Sequence, residues 1–153
     1  MPATPKSGLH CKVTLGASTI LGMGTWSVDG IQSDSLETTE LGQAWKTFQF
    51  GLNDGGNLSF SGLFDPADVT GQNALRAANL TKLNITTLRL YVDNTSYFEP
   101  CRTTGYFGPG ALSTGYDTFL SYVNVTSYNV KADKSGLLMT DFQAKISGCM
   151  VLV

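Results

Sequence analysis

This chain is short of charge. Only 14% of its 153 residues are Asp, Glu, Lys or Arg, against roughly 25% in an average globular domain. Ten basic and twelve acidic side chains leave a net charge of −2. No run of Lys or Arg occurs, so no phosphate-gripping patch is legible. Looser contact with DNA stays open. Each basic contact to phosphate adds salt-dependent affinity, and this chain offers no cluster of such contacts.

Catalytic and metal-binding residue types are equally sparse. The one histidine, His10, adjoins Cys11; on a strand, neighbouring side chains point to opposite faces, which makes a Cys-His couple there geometrically poor. The three cysteines, Cys11, Cys101 and Cys149, are odd in number and lack metal or redox spacing. At least one is free or intermolecular, and all three read as small buried hydrophobes in a reducing compartment. The glycines around Asp54 lack phosphate-loop spacing, and no Gly-Lys-Ser/Thr follows them. No segment approaches the ~20 apolar residues of a membrane-spanning helix, so no membrane partner is expected. Val13 to Gly24 is diluted by Thr, Ser and Gly and lacks a leader's small-residue cleavage site. The Asn-x-Ser/Thr sequons at Asn57, Asn79, Asn84, Asn94 and Asn124 therefore read as chance in a chain rich in those residues.

What the sequence does carry is alternation. Phe48, Phe50 and Leu52 alternate with Thr47, Gln49 and Gly51; after Asn53-Asp54-Gly55-Gly56-Asn57, the apolar face resumes at Leu58, Phe60 and Phe64. Period-two runs around an Asp-Gly-Gly turn predict a β-hairpin. Leu88, Leu90 and Val92 mark a half-buried strand, and Leu138, Phe142, Ala144 and Ile146 another. Between Phe119 and Val130 the apolar parity slips, which predicts a bulge near Thr126. Cys11 to Ile20 and Thr25 to Gln32 are weaker strand candidates. Ser33 to Ala44 is too polar, and Thr103 to Tyr116 too rich in glycine, to be read as strands; loops of this length are usually functional or mobile.

One helix is expected. Asp65 fits the N-cap, Pro66 the first helical position, and Asp68 the positive end of the helix dipole. Thr70-Gly71 weakens the first turn by about 1 kcal/mol, so the regular part could start later with Thr70 as its cap. Ala74, Leu75 and Ala78 form the apolar stripe. The expected fold is mainly β: an antiparallel sandwich or half-barrel of about eight strands with one short helix, a single domain over residues 1–153.

Asp54, Asp65 and Asp68 could form a carboxylate cluster for Ca²⁺, but a hairpin turn and a helix start account for them. Acid pairs for glycoside hydrolysis meet only in a fold, and nothing raises one here. The aromatics Tyr97, Phe98, Tyr106, Phe107 and Tyr116 would anchor loops, meet a neighbouring subunit, or stack sugars. The last option defines an alternative reading, a carbohydrate-binding β-sandwich using loop 103–116.

The ordered set Leu36-Glu37-Thr38-Thr39, Phe48-x-Phe50-Gly51-Leu52-x-Asp54-x-Gly56, Leu58-x-Phe60, Phe64-Asp65-Pro66-x-Asp68 and Gln72-x-x-Leu75 resembles the major tail (tail tube) proteins of long-tailed bacteriophages. The match covers residues 36–79. The ending Lys145-Ile146-Ser147-Gly148 adds to it, while Glu37 in place of a more usual Asp and the 103–116 insertion depart from the pattern.

The resemblance implies a structural virion protein with no enzymatic activity and no cofactor. It would polymerise as hexameric rings stacked into a tube, each subunit lending strands to an inner barrel through which genomic DNA passes without specific binding. Implied partners are copies of itself and the tail terminator, tape-measure and baseplate or distal tail proteins; assembly would occur in the bacterial host cytoplasm. Asp34, Leu36, Glu37, Thr39, Leu41 and Trp45 are the expected ring-stacking residues, and Tyr106 and Phe107 an outer loop or interface. About eight strands enclose only side chains, so several chains would have to pool strands to surround a duplex.

Overall fold

In the computed structural model, Gly8 and residues 11–101, 121–132, 134 and 136–153 are described. Alternating sequence builds two sheets that share one core. The first holds β1 (Lys12–Leu15), β2 (Ser18–Thr19), β7 (Leu88–Tyr91), β8 (Tyr97–Pro100) and β11 (Met150–Leu152), in the order β11-β8-β7-β1-β2. The second holds β3 (Met23–Asp29), β6 (Asn57–Leu63), β9 (Tyr122–Lys131) and β10 (Met139–Ser147), in the order β3-β6-β10-β9. All pairings are antiparallel. A separate two-stranded ribbon is formed by β4 (Gln32–Glu37) and β5 (Phe48–Asp54). The expected mainly β, antiparallel architecture is observed, with eleven short strands among the described residues where about eight were expected.

Val13, Leu88 and Leu90 from the first sheet, with Ile20 just after β2, pack against Leu58, Phe60, Val123, Val125, Phe142, Ala144 and Ile146 from the second. Each large side chain so buried contributes about 1.5–3 kcal/mol. Phe60 and Phe142 are register partners on adjacent strands and stack with centroids 5.3 Å apart. Trp26 pins the sheets together, donating from Nε1 to the Tyr91 carbonyl at 3.2 Å and meeting Phe98 edge-on. The predicted bulge is present: Gln143 pairs with Ser127 and Ala144 with Val125, leaving Thr126 as the extra residue.

The helix α1 (Gln72–Thr81) starts later than Asp65-Pro66 suggests. Asp65 instead closes a local turn, accepting from the Ala67 N–H at 2.9 Å. Neither Asp65 nor Thr70 caps; Gly71 occupies the N-cap position. The negative charge at the helix start comes from Asp68, buried at 4% exposure, which accepts from the Gly71, Gln72 and Leu21 N–H groups, each at 3.0 Å. Leu75 and Ala78 face the core as expected, and Gln72 joins them.

The expected hairpin at residues 48–64 is corrected. β5 and β6 do not pair with each other; β6 pairs with β3 and β5 with β4. Residues 23–37 and 48–62 are thus two arms of one longer hairpin, folded at a corner. Asp29 pairs with Asn57 on one side of it and Gln32 with Asp54 on the other. The Asp54-Gly55-Gly56 signal marks that corner, with Gly56 at φ +83° and Gly30 opposite at φ +73°. Ser33 to Ala44, read as a loop, contributes β4 to the ribbon; only the stretch after Glu37 connects.

A Cβ on Gly56 would strike the Asp29 carbonyl oxygen and the Ile31 nitrogen. Left-handed backbone and overlap add, so Gly56→Ala should cost at least about 1–3 kcal/mol, read as a lower midpoint in urea unfolding. An unchanged midpoint would show that the corner tolerates a side chain.

Candidate functional site: an apolar ribbon and a polar sheet face

Phe48, Phe50 and Leu52, the apolar face of the first strand of the expected hairpin, do not face the core. Phe50 is 88% and Leu52 83% exposed, and Phe48 is exposed too. The ribbon leaves the sandwich at the glycine corner, so no second layer covers it. Leu36, Leu41 and Trp45 are exposed as well, Trp45 at 85%. Monomeric soluble proteins rarely expose large contiguous apolar patches, and patches of that kind mark interaction sites.

The residues singled out for ring stacking all lie on this ribbon or its tip. Asp34 sits where the β4–β5 register shifts. Leu36 is opposite Gln49, on the face away from Phe48 and Phe50, which lie opposite Glu37 and Ser35. Glu37 pairs with Lys46 at 3.1 Å, an exposed contact worth at most about 1 kcal/mol. Thr39 accepts from the Thr47 N–H at 3.1 Å, and Thr38 donates its N–H to the Thr47 carbonyl at 2.8 Å, so these threonines close the tip. Leu41 and Trp45 project from it. The structure brings the six together on one projection, with Glu37 and Thr39 serving its geometry. Tyr106 and Phe107, with the whole 103–116 loop, lie outside the described residues, as does His10.

Sequence reasoning missed a second surface. The β3-β6-β10-β9 sheet buries one face and presents on the other Thr25, Ser27, Ser59, Ser61, Asn129 and Gln143. Thr25 and Ser61 share a hydroxyl hydrogen bond at 2.8 Å, and Ser27 and Ser59 one at 2.7 Å. Lys131 pairs with Asp141 at 3.2 Å on the same face. The available signal was the alternation Thr25-Trp26-Ser27-Val28 against Leu58-Ser59-Phe60-Ser61, legible only once the two segments are known to pair.

Among the described residues, no group of three or more His, Cys, Asp or Glu side chains is placed to hold a metal ion. The three aspartates weighed for Ca²⁺ have other partners. Asp54 accepts from Lys145 Nζ at 2.7 Å and from the Gly56 N–H at 2.8 Å. These two bonds hold its carboxyl below the usual range, the Lys145 bond most strongly. None of Cys11, Cys101 and Cys149 is in a disulfide, and burial pushes the Cys149 thiol up.

No protein-family model and no curated protein matches this sequence. Solved structures do. A chain of the virion of a native gene transfer agent particle aligns with a TM-score of 0.69 at 12% identity, over 97% of this chain and 99% of that one. A chain from the sheath/tube terminator of an extracellular contractile injection system gives 0.67 at 10% identity, over 99% and 98%. One from the anti-feeding prophage cap, which terminates the tube, gives 0.64 at 12% identity, over 100% and 93%. At such identities the likeness is one of fold. The structural neighbours are components of phage-like tails and contractile injection systems, and the tail-tube-like fold implied by residues 36–79 is the fold observed.

Because its folded pKa is lowered, Asp54 contributes stability above the ordinary carboxylate range and loses it as pH falls through the lowered folded value. Lys145→Gln should raise the Asp54 pKa toward its ordinary value, seen by NMR titration of the carboxyl carbon. An unmoved titration would assign the shift to the Gly56 amide.

Proposed function

We propose that this chain is a structural subunit of a phage-like tail, acting over residues 1–153 as one tail-tube unit and polymerising into stacked six-membered rings around a DNA conduit. One observation carries the reading: a four-stranded sheet, β3-β6-β10-β9, with an apolar inner face, a polar outer face and end strands that, among the described residues, pair with no further strand along most of their length. On β9, the described edge contacts include the bridge from Val123 to Ile85 and the hydrogen bond from Asn79 Nδ2 to the Val125 carbonyl at 2.8 Å, both in the first half of the strand. Open edges are a liability in a monomer and a joint in an assembly. Pairing β3 of one copy with β9 of the next would continue the sheet around a ring, and four strands per copy would quickly exceed the width at which side chains fill a barrel.

The polar face then lines the conduit. Its hydroxyls and amides offer no fixed positive charge, and Lys131 is already shared with Asp141. DNA would meet hydrogen-bonding groups satisfied by water and by one another, with little counterion release to hold it in place. The chain has no catalytic role in this reading. Its location is the tail of the particle, after assembly in the host cytoplasm, and its partners are further copies, the tail terminator, tape-measure and baseplate proteins. The ribbon is the arm that contacts the next ring, with Asp34, Leu36, Leu41 and Trp45 at or near the contact.

Negative-stain electron microscopy of concentrated protein tests this directly. Rings or hollow tubes of constant diameter are expected. Replacing residues 34–52 with a short Gly-Ser linker should keep the circular dichroism of a folded β-protein and abolish the tubes. Tubes surviving that replacement, or a small closed oligomer that never stacks, would overturn the reading.

A further inference from the structure

Where β8 ends and β11 begins, two cysteines far apart in sequence come together. Met150 of β11 pairs with Pro100 of β8. One step past them, Cys101 donates its N–H to the Cys149 carbonyl at 3.0 Å. The two cysteines therefore face each other across adjacent antiparallel segments. Ser121, with 0% exposure, closes the third side. It donates its N–H to the Cys101 carbonyl at 3.0 Å and accepts the Cys149 N–H on Oγ at 3.0 Å. Its hydroxyl also reaches the Cys149 sulfur at 4.0 Å. The Cys101 and Cys149 thiols lie within hydrogen-bonding reach of each other.

Opposed residues in an antiparallel pair stand about 4.5–5.5 Å apart between Cα atoms, inside the roughly 4.4–6.8 Å that a disulfide spans. Ser121 holds both backbones at this spacing, so little rearrangement is needed to join the sulfurs. Access is from one side. Cys101 is buried at 6% exposure, while Cys149 is partly exposed. Cys149 lines a cleft of about 380 Å³ with Ile31, Ser33, Asn53, Asp54 and Met150. Cys11 is out of reach. Its sulfur lies against the Val92 carbonyl at 3.8 Å, past one end of β7. Phe98 pairs with Leu90 and Tyr97 with Tyr91, which puts Cys101 beyond the other end.

We propose that Cys101 and Cys149 are a built-in disulfide site, a dithiol that a low-molecular-weight disulfide such as oxidised glutathione closes into a clip between β8 and β11. Cys149, the accessible thiol, loses its proton, and its sulfur attacks one sulfur of the oxidant. The first glutathione leaves as a thiolate and takes up that proton. Cys101 then loses its proton, and its sulfur attacks the Cys149 sulfur of the mixed disulfide, expelling and protonating the second glutathione. Two protein thiols are oxidised by two electrons, and one glutathione disulfide is reduced to two thiols. Reducing surroundings keep such a pair open and oxidising ones close it. Among the described residues, β11 is a three-residue edge strand paired only with β8, so the clip secures the sheet's outermost strand. The bond also closes a long loop containing β9 and β10, which restricts the unfolded chain. Closure depends on the sandwich and not on the tail reading, so either can fail without the other.

Reduced full chain is incubated with oxidised glutathione in mildly alkaline buffer, then examined by peptide mapping and thermal unfolding. A Cys101–Cys149 cross-linked peptide, lighter by two hydrogens than its separate thiols, is expected. The melting temperature should rise by roughly 5–10 °C and return with dithiothreitol. Cys149→Ser should keep the parent's circular dichroism and melt at one temperature with or without the oxidant. Cys101 and Cys149 left as thiols or capped with glutathione would overturn the proposal. A link through Cys11 or between two chains, or a Cys101–Cys149 bond that leaves the melting temperature unmoved, would do the same.

Discussion

The features that set this chain apart from a plain sandwich depend on the close approach of two backbone corners, at Gly30 and at Gly55–Gly56. Without a Cβ at Gly56, the Asp29 carbonyl and Ile31 nitrogen can lie against the opposite strand, and both corner glycines adopt positive φ. The corner lets one antiparallel hairpin serve two purposes. Its inner half joins β10 and β9 and buries Leu58 and Phe60; its outer half leaves the core and carries Phe48, Phe50 and Leu52 into solvent. Lys145 and Asp54 brace the outside of the bend. A straight hairpin of the same sequence would leave nothing to turn the ribbon away from the body.

That architecture explains which parts were legible in the sequence. Alternation correctly identified the segments around Phe48, Leu58, Leu88 and Phe142 as strands, because period two is a local property. The slip in apolar parity between Val125 and Tyr128 located the bulge at Thr126 for the same reason. Pairing is not local. Asp54-Gly55-Gly56 reads identically as a hairpin turn or as a corner, and only the partnership of residues 23–29 with 57–62 decides between them. Ser33 to Glu37 is so polar that it reads as a loop; it becomes a strand because β5 offers it a ladder.

The aromatic face of β5 misled in a more instructive way. Apolar alternation states that one side of a strand avoids water, not whose surface excludes it. In a monomer the inference to a core is sound. In a subunit the same pattern serves an interface, and Phe50 is indistinguishable by sequence from Phe60. The residue resemblance across 36–79 implied a tail-tube-like fold, and the solved tail and injection-system structures agree with it at that level. At the helix, Asp65 and Asp68 were both read as serving its start. Asp68 does so from within a buried network with Leu21 and Gln72, a role that needs the third dimension to be seen.

The shortage of charge links these surfaces. In the proposed reading, each free lysine on the conduit face would add a salt-dependent hold on the cargo. In that reading, free carboxylates repeated around every ring would repel one another across the lumen, and burying the ribbon between copies would strip water from any charge along its strands. The chain meets these demands by spending few ionisable groups and pairing several of those it has, Lys131 with Asp141, Lys145 with Asp54 and Arg89 with Glu99. The remaining polarity comes from Ser, Thr, Asn and Gln, which can bond to water, to a passing strand or to each other without a fixed sign. Low charge, open sheet edges and an uncovered apolar ribbon would each be a weakness in a solitary protein. Together they are what repeated self-association requires.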